Sequence, residues 1–230
     1  MIPPKSVMLP RTLEPELMDT PEEARDYDAM DHRAVNERFV SDFLAAIGAE
    51  LGEGEVLDLG TGTALIPIEL CRRHEECRVT AVDLAIQMLE LARYNLEVFS
   101  QTSRIQLQLI DAKELPFESG RFAAVMSNSI VHHIPEPLSV FREARRVTAI
   151  GGWLFFRDLL RPPSADAVEH LVRTYAGNEN EHSQQMFRQS LHAALTLEEV
   201  RAFVESLGFP ADTVQATSDR HWTFMAKLPQ

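Results

Sequence analysis

Short apolar runs alternate along this chain with longer stretches in which apolar residues return every three or four positions. The runs Val56–Leu59, Val79–Val82, Ala123–Ser127 and Trp153–Arg157 have strand length, and Ile105–Ile110 alternates before turning apolar. Between them, Val35, Phe39, Val40, Phe43, Leu44, Ile47 and Leu51 mark one face of a helix over Asp31–Leu51 that Gly52 ends. Helices are also predicted over Ala64–Arg73, over Pro137–Arg146, and over Ala85–Phe99 with Ile86, Leu89, Ala92 and Leu96 inward. Strands separated by helices imply right-handed crossovers and a parallel sheet. The fold class is therefore α/β: a doubly wound sheet with helices on both faces.

The ends of the chain modify that pattern. Met1–Asp19 carries four prolines among mixed residues and is expected to be irregular. Thr20-Pro21-Glu22-Glu23 then opens a short helix with an N-cap, a first-turn proline and a capping-box glutamate. After Pro162-Pro163 the rhythm breaks into two helices, Ser164–Tyr175 and Ser183–Ala194, around the polar stretch Ala176–His182. Thr196-Leu197-Glu198-Glu199 opens a helix with Val200, Phe203, Val204 and Leu207 inward, and Gly208 stops it. Val214–Thr217 and Trp222–Ala226 flank Ser218-Asp219-Arg220 as a closing antiparallel hairpin, so the sheet is only mostly parallel. One domain is expected over 1–230. Its parts are N-terminal helices at 1–50, a core at 51–160, a helical insertion at 161–195, and a helix with the hairpin at 196–230.

Composition acts mainly by exclusion. The chain of 230 residues is 45% hydrophobic and can bury a full core. Its net charge of −13 and its only lysines, Lys5, Lys113 and Lys227, argue against a nucleic acid partner. Cys71, His74 and Cys77 lie at tempting metal-ligand spacing, but no fourth ligand is near in sequence. They read as reduced cysteines of a cytoplasmic protein, and no metal is expected. The N-terminus has no uninterrupted apolar run, so neither a signal peptide nor a membrane anchor is expected.

The candidate chemistry sits at strand ends. Val56-Leu57-Asp58-Leu59 runs into Gly60-Thr61-Gly62, a tight turn before a helix whose free N–H groups face the same spot. Glycines there let the backbone approach a ligand closely. Asp83 ends the second strand, at the place of a ribose-binding carboxylate, and Asp111 ends the third. Three successive acids at strand ends point to a nucleoside pocket along one sheet edge.

The motifs VLDLGTGTA, AVDLAIQML, LIDAKELPF and FAAVMSNSIVHHIPEP resemble those of class I S-adenosylmethionine (SAM)-dependent methyltransferases, from about Leu51 to Asp158. The resemblance implies a Rossmann-like sheet, SAM as cofactor and methyl transfer to a small-molecule acceptor. Carried onto this chain, it implies that Gly60, Thr61 and Gly62 meet the methionine end of SAM, with Asp58 supporting its ammonium. It gives Asp83 the ribose hydroxyls, Leu84 and Met88 the adenine faces, and Asp111 with the Ala112 N–H the adenine edge. Asn128 lies beside the methyl position, and Tyr27 of the N-terminal helix is the candidate to touch the methionine end. Where Ala64 stands the family often has a third glycine; alanine is small and fits helix geometry, so cofactor binding is expected to survive.

The acceptor side is less specific. His133 and then His132 are candidates for a catalytic base near neutral pH, although paired histidines at this place also shape the loop in the family. Arg157 and Asp158 after the fifth strand, and His182 and Arg188 in the insertion, are candidates for acceptor contacts. Motifs for base-directed amino-methylation are absent. Two other readings fit the glycine turn: a non-catalytic SAM-binding protein, and a nicotinamide-dependent oxidoreductase. The second is disfavoured by Leu65 where it expects glycine and by the lack of a Tyr-x3-Lys pair.

Overall fold

A computed structural model of the chain describes residues 9–15, 19–29 and 33–229, without the side chains of 23, 26, 27 and 29. Its strands are β1 (Glu55–Leu59), β2 (Arg78–Asp83), β3 (Ile105–Leu109), β4 (Phe122–Asn128), β5 (Thr148–Leu159), β6 (Val214–Ala216) and β7 (His221–Lys227). They form one sheet in the order β3-β2-β1-β4-β5-β7-β6. Pairing is parallel from β3 across to β5 and antiparallel where β7 meets β5 and β6. The helices are α1 (Pro21–Ala29), α2 (Arg33–Leu51), α3 (Leu65–Arg73), α4 (Ile86–Val98), α5 (Leu138–Val147), α6 (Ala165–Tyr175), α7 (Glu181–Ala193) and α8 (Leu197–Ser206). Among the described residues no helix is long and apolar enough to cross a membrane.

Strand alternation splits the core in two. Leu57, Leu59, Val125 and Phe156 face α5 and α8, where Phe141, Val200 and Val204 close one layer. Val56, Ala81, Ala124, Met126 and Phe155 face the opposite layer of α2, α3 and α4. There Phe155 meets Phe39 and Phe43 edge-on, with ring centroids 5.1 and 5.6 Å apart. Each such pair adds about 0.5–1.5 kcal/mol beyond area burial. A third cluster, with Leu159, Val168, Leu171, Val172 and Leu191, docks α6 and α7 beyond the end of β5.

Capping follows local chemistry. Thr196 Oγ1 accepts from Glu199 N, and Glu199 returns a carboxylate to Thr196 N, the reciprocal box at the start of α8. Three expectations are corrected. Ile86 is 46% exposed, and Asn95 takes a buried place on α4 by donating to the Thr63 carbonyl at 3.0 Å. β5 begins at Thr148, earlier than expected, because it pairs with Phe122 before a bulge and with β7 after it. Ala64 does not fit helix geometry: it caps α3 in the left-handed region, at φ 63°.

Candidate functional site

The carboxyl ends of β1, β2 and β4 lie side by side, where open α/β sheets hold ligands. Gly60 N and Thr61 N both donate to the Val82 carbonyl at 2.9 Å, which draws the loop after β1 over the end of β2. Asp83 fastens it: Oδ2 accepts from Gly62 N at 2.7 Å and Oδ1 from Ala85 N at 2.9 Å. One carboxylate thus ties the glycine loop to the start of α4. Burial raises its pKa, against those backbone N–H groups, which favour the charge. Asp58 lies buried behind the loop, and burial pushes its carboxyl up to about 7. Asp111 Oδ1 accepts from Lys113 N at 2.8 Å and lies 3.1 Å from Lys113 Nζ.

Gly60, Gly62, Asp83, Leu84, Met88, Asp111, Ala112 and Asn128 line one cavity. Thr61 is buried and, like Asp58, is not in its wall. Tyr27 lies on α1, but its side chain falls outside the described residues. Gly60 has φ 69°, and a Cβ there would run into Ile130. Its glycine is therefore required by the loop after β4 as well as by any ligand.

A second cavity, about 250 Å³, opens on the other side of that loop. The two share Asn128, Ser129 and His133. Asn128 Oδ1 is buried there without a hydrogen-bond partner. The second cavity is walled by Val35 and Asn36 of α2, by Tyr175, Glu179, Met186 and Phe187 of the insertion, and by Arg220 and His221 of the hairpin. Burial pushes His221 down to about 4.

None of Arg157, Asp158, His182 and Arg188 lines it, contrary to expectation. Arg157 Nη2 bonds Asp42 at 2.7 Å and its Nε bonds Thr223 at 3.0 Å, on the α2 side of the sheet. Arg188 pairs with Glu169 at 2.6 Å, and His182 is exposed. Asp158, on the opposite face of β5 from Arg157, is buried and accepts from Val131 N and Leu159 N, each at 2.6 Å.

Asp158 also meets His132. Its Oδ1 lies 2.5 Å from His132 Nδ1, while His132 Nε2 lies 3.5 Å from Glu14 Oε1. Burial disfavours charge on His132, but Asp158 and then Glu14 outweigh it and raise its pKa. His133 is pushed the other way, to about 3, by burial and by the neighbouring His132. Burial raises Glu14. Arg11 fixes the segment that carries Glu14: Nη2 donates to the carbonyls of His132 and Ile134 at 3.0 and 2.9 Å, and Nε to Ala193 at 2.7 Å. Arg11 and Glu14 were missed from the sequence, where they stand in a proline-rich stretch with no periodicity. Ile130, Met186, Phe187 and Arg220 were also missed.

A family model described as a methyltransferase domain matches residues 57–156. The chain is 36% identical over 134 residues to a malonyl-[acyl-carrier protein] O-methyltransferase of Geobacter sulfurreducens, covering 58% of this chain and 48% of that one. It is 32% identical over 125 residues to a ubiquinone biosynthesis O-methyltransferase of Albidiferax ferrireducens, covering 54% and 48%. The chain thus spans about half the length of these relatives. In fold it is similar to the plantazolicin methyltransferase BpumL in complex with SAH, with a TM-score of 0.71 at 12% identity over 90% of this chain and 91% of that one. Over residues 57–156, which hold the three strand-end acids, the chain is thus similar to methyltransferase domains, and the strand order carries that segment on one continuous sheet.

Proposed function

We propose that this protein transfers a methyl group from SAM to a small-molecule acceptor in the cytoplasm, and not to nucleic acid. The observation that carries the reading is the meeting of two cavities at Asn128, Ser129 and His133, one edged by the strand-end acids and the other by the insertion and hairpin. A donor in the first and an acceptor in the second would face each other across that junction.

The residues present fit the cofactor. The Gly60 and Gly62 backbone, with Asp58 behind it, suits the methionine end, and the unpartnered Asn128 Oδ1 can accept from an ammonium. Each Asp83 oxygen takes one backbone N–H and keeps a lone pair for a ribose hydroxyl. Leu84 and Met88 can cover the adenine, and Asp111 and Ala112 can meet its edge. When bound, SAM supplies an electrophilic methyl on a sulfonium. The protein then mainly has to align the acceptor, which can supply roughly 7–11 kcal/mol of the barrier.

In this reading Met186, Phe187 and Arg220 hold the acceptor in place of the four residues first expected, and the insertion closes over it. Neither histidine acts as a free base: His132 is held between Asp158 and Glu14, and the Nδ1 of His133 is turned to Glu14. Calorimetry with SAM tests the donor site. Incubation with methyl-labelled SAM and a fractionated extract tests transfer. Label in a small-molecule fraction is expected, and SAM binding without label in any fraction would refute transfer.

A further inference from the structure

We propose that Glu14, His132 and His133 bind a divalent transition-metal cation, zinc by the chemistry of the donors, beside the junction of the two cavities. Among the described residues their donor atoms form the single such group, all within 4.8 Å of one another. Glu14 Oε1 lies 3.5 Å from His132 Nε2 and 3.1 Å from His133 Nδ1. Zinc bonds of about 2.0–2.1 Å in tetrahedral geometry hold neighbouring ligands roughly 3.3–3.4 Å apart.

The independent observation is that Glu14 Oε1 and His133 Nδ1 are both buried without a hydrogen-bond partner. Leaving such buried atoms without a partner is unfavourable, and a cation between them would satisfy both. The trio's atoms that are not offered to the ion each have a use. Glu14 Oε2 accepts from Ser190 Oγ at 3.2 Å, the His133 ring donates to the Pro15 carbonyl, and His132 Nδ1 is held by Asp158. A carboxylate behind a ligating imidazole fixes its tautomer and turns the lone pair of Nε2 outward. Arg11 holds the glutamate's segment to the backbone carbonyls of His132 and Ile134, on either side of His133.

Two imidazoles and one carboxylate suit zinc and its neighbours in the first row, whereas magnesium and calcium take oxygen donors. Three protein ligands leave a fourth position, and both histidines line the second cavity. The ion would there hold an oxygen of the acceptor beside the methyl. That role rests on the methyl-transfer reading; binding itself rests on the three side chains alone.

The test uses the full chain stripped of metal and dialysed against zinc or cobalt(II). One equivalent of zinc per chain is expected, with cobalt giving the visible d–d bands of a nitrogen–oxygen site. Glu14→Gln and His133→Ala should each weaken zinc binding at least tenfold, while SAM affinity of Glu14→Gln stays within twofold. No zinc on the parent chain, equal zinc on Glu14→Gln, or a cobalt–thiolate band from Cys71 and Cys77 would overturn the site. The parent's cobalt spectrum decides even where a variant fails to fold. Lost zinc binding with normal SAM binding removes the metal and leaves methyl transfer standing; lost SAM binding with zinc bound does the reverse.

Discussion

Gly60→Ala asks whether the glycine loop is shaped by the ligand or by the protein's own packing. Gly60 sits at φ 69°, where an alanine costs about 1–2 kcal/mol. The new Cβ would overlap Ile130 Cγ2 and lie 2.9 Å from Ile130 Cβ and 3.1 Å from its Cδ1. Forcing such atoms apart typically costs about 1–3 kcal/mol. The expected loss is therefore roughly 2–5 kcal/mol, present without any ligand. Ile130→Ala removes the γ and δ atoms and leaves the backbone angle untouched. Added to Gly60→Ala, it should recover part of the packing loss, since the Ile130 Cβ 2.9 Å away remains, a coupling of up to about 3 kcal/mol, and none of the strain. Urea denaturation of the parent, both single variants and the double variant closes the cycle. A Gly60→Ala protein as stable as its parent, or a loss that Ile130→Ala leaves unchanged, would refute the reasoning and return the glycine to the ligand alone.

Asp83→Ala removes the carboxylate that holds Gly62 N and Ala85 N, and SAM affinity should fall by about 1.5–3 kcal/mol, tenfold to a hundredfold. Unchanged affinity in calorimetry would count against the ribose assignment. Asp58, pushed up to about 7, is favoured in the fold as the neutral acid, so its contribution is present below about pH 4 and lost as pH rises through about 7. Asp58→Asn without ligand should match the parent near pH 4 and exceed it above pH 7 by up to about 4 kcal/mol; parallel stability curves across that window would contradict the buried charge. For Ala64→Gly, relief of about 1–2 kcal/mol of left-handed strain is offset by about 0.4–1 of unfolded-chain entropy and about 0.8 of lost methyl burial. Chemical denaturation should find the variant within about 1 kcal/mol of its parent, and a shift beyond about 2 either way would not fit.

The order of strands and helices was legible from the chain because it depends on local period. Val56–Leu59, Val79–Val82 and Ala123–Ser127 are apolar on both faces because β1, β2 and β4 are inner strands of a parallel sheet. The glycine turn, Asp83, Asp111 and the Thr196–Glu199 box were legible for the same reason: each signal lies within a few residues of the structure it makes. The proposed acceptor side was not. Arg157 and Asp158 are neighbours in sequence, yet alternation along β5 sends one to Asp42 and the other to His132, and only the sheet's layers determine which goes where. Ala64 takes a left-handed turn, a conformation its own side chain does not favour and so does not announce. The second cavity gathers α2, α7, the loop after β4 and the last hairpin, and the cluster at its edge joins Glu14 to His132 and His133 across more than half the chain. Such a site depends on which distant segments are brought together, and one sequence carries no local period or cap that encodes that distance.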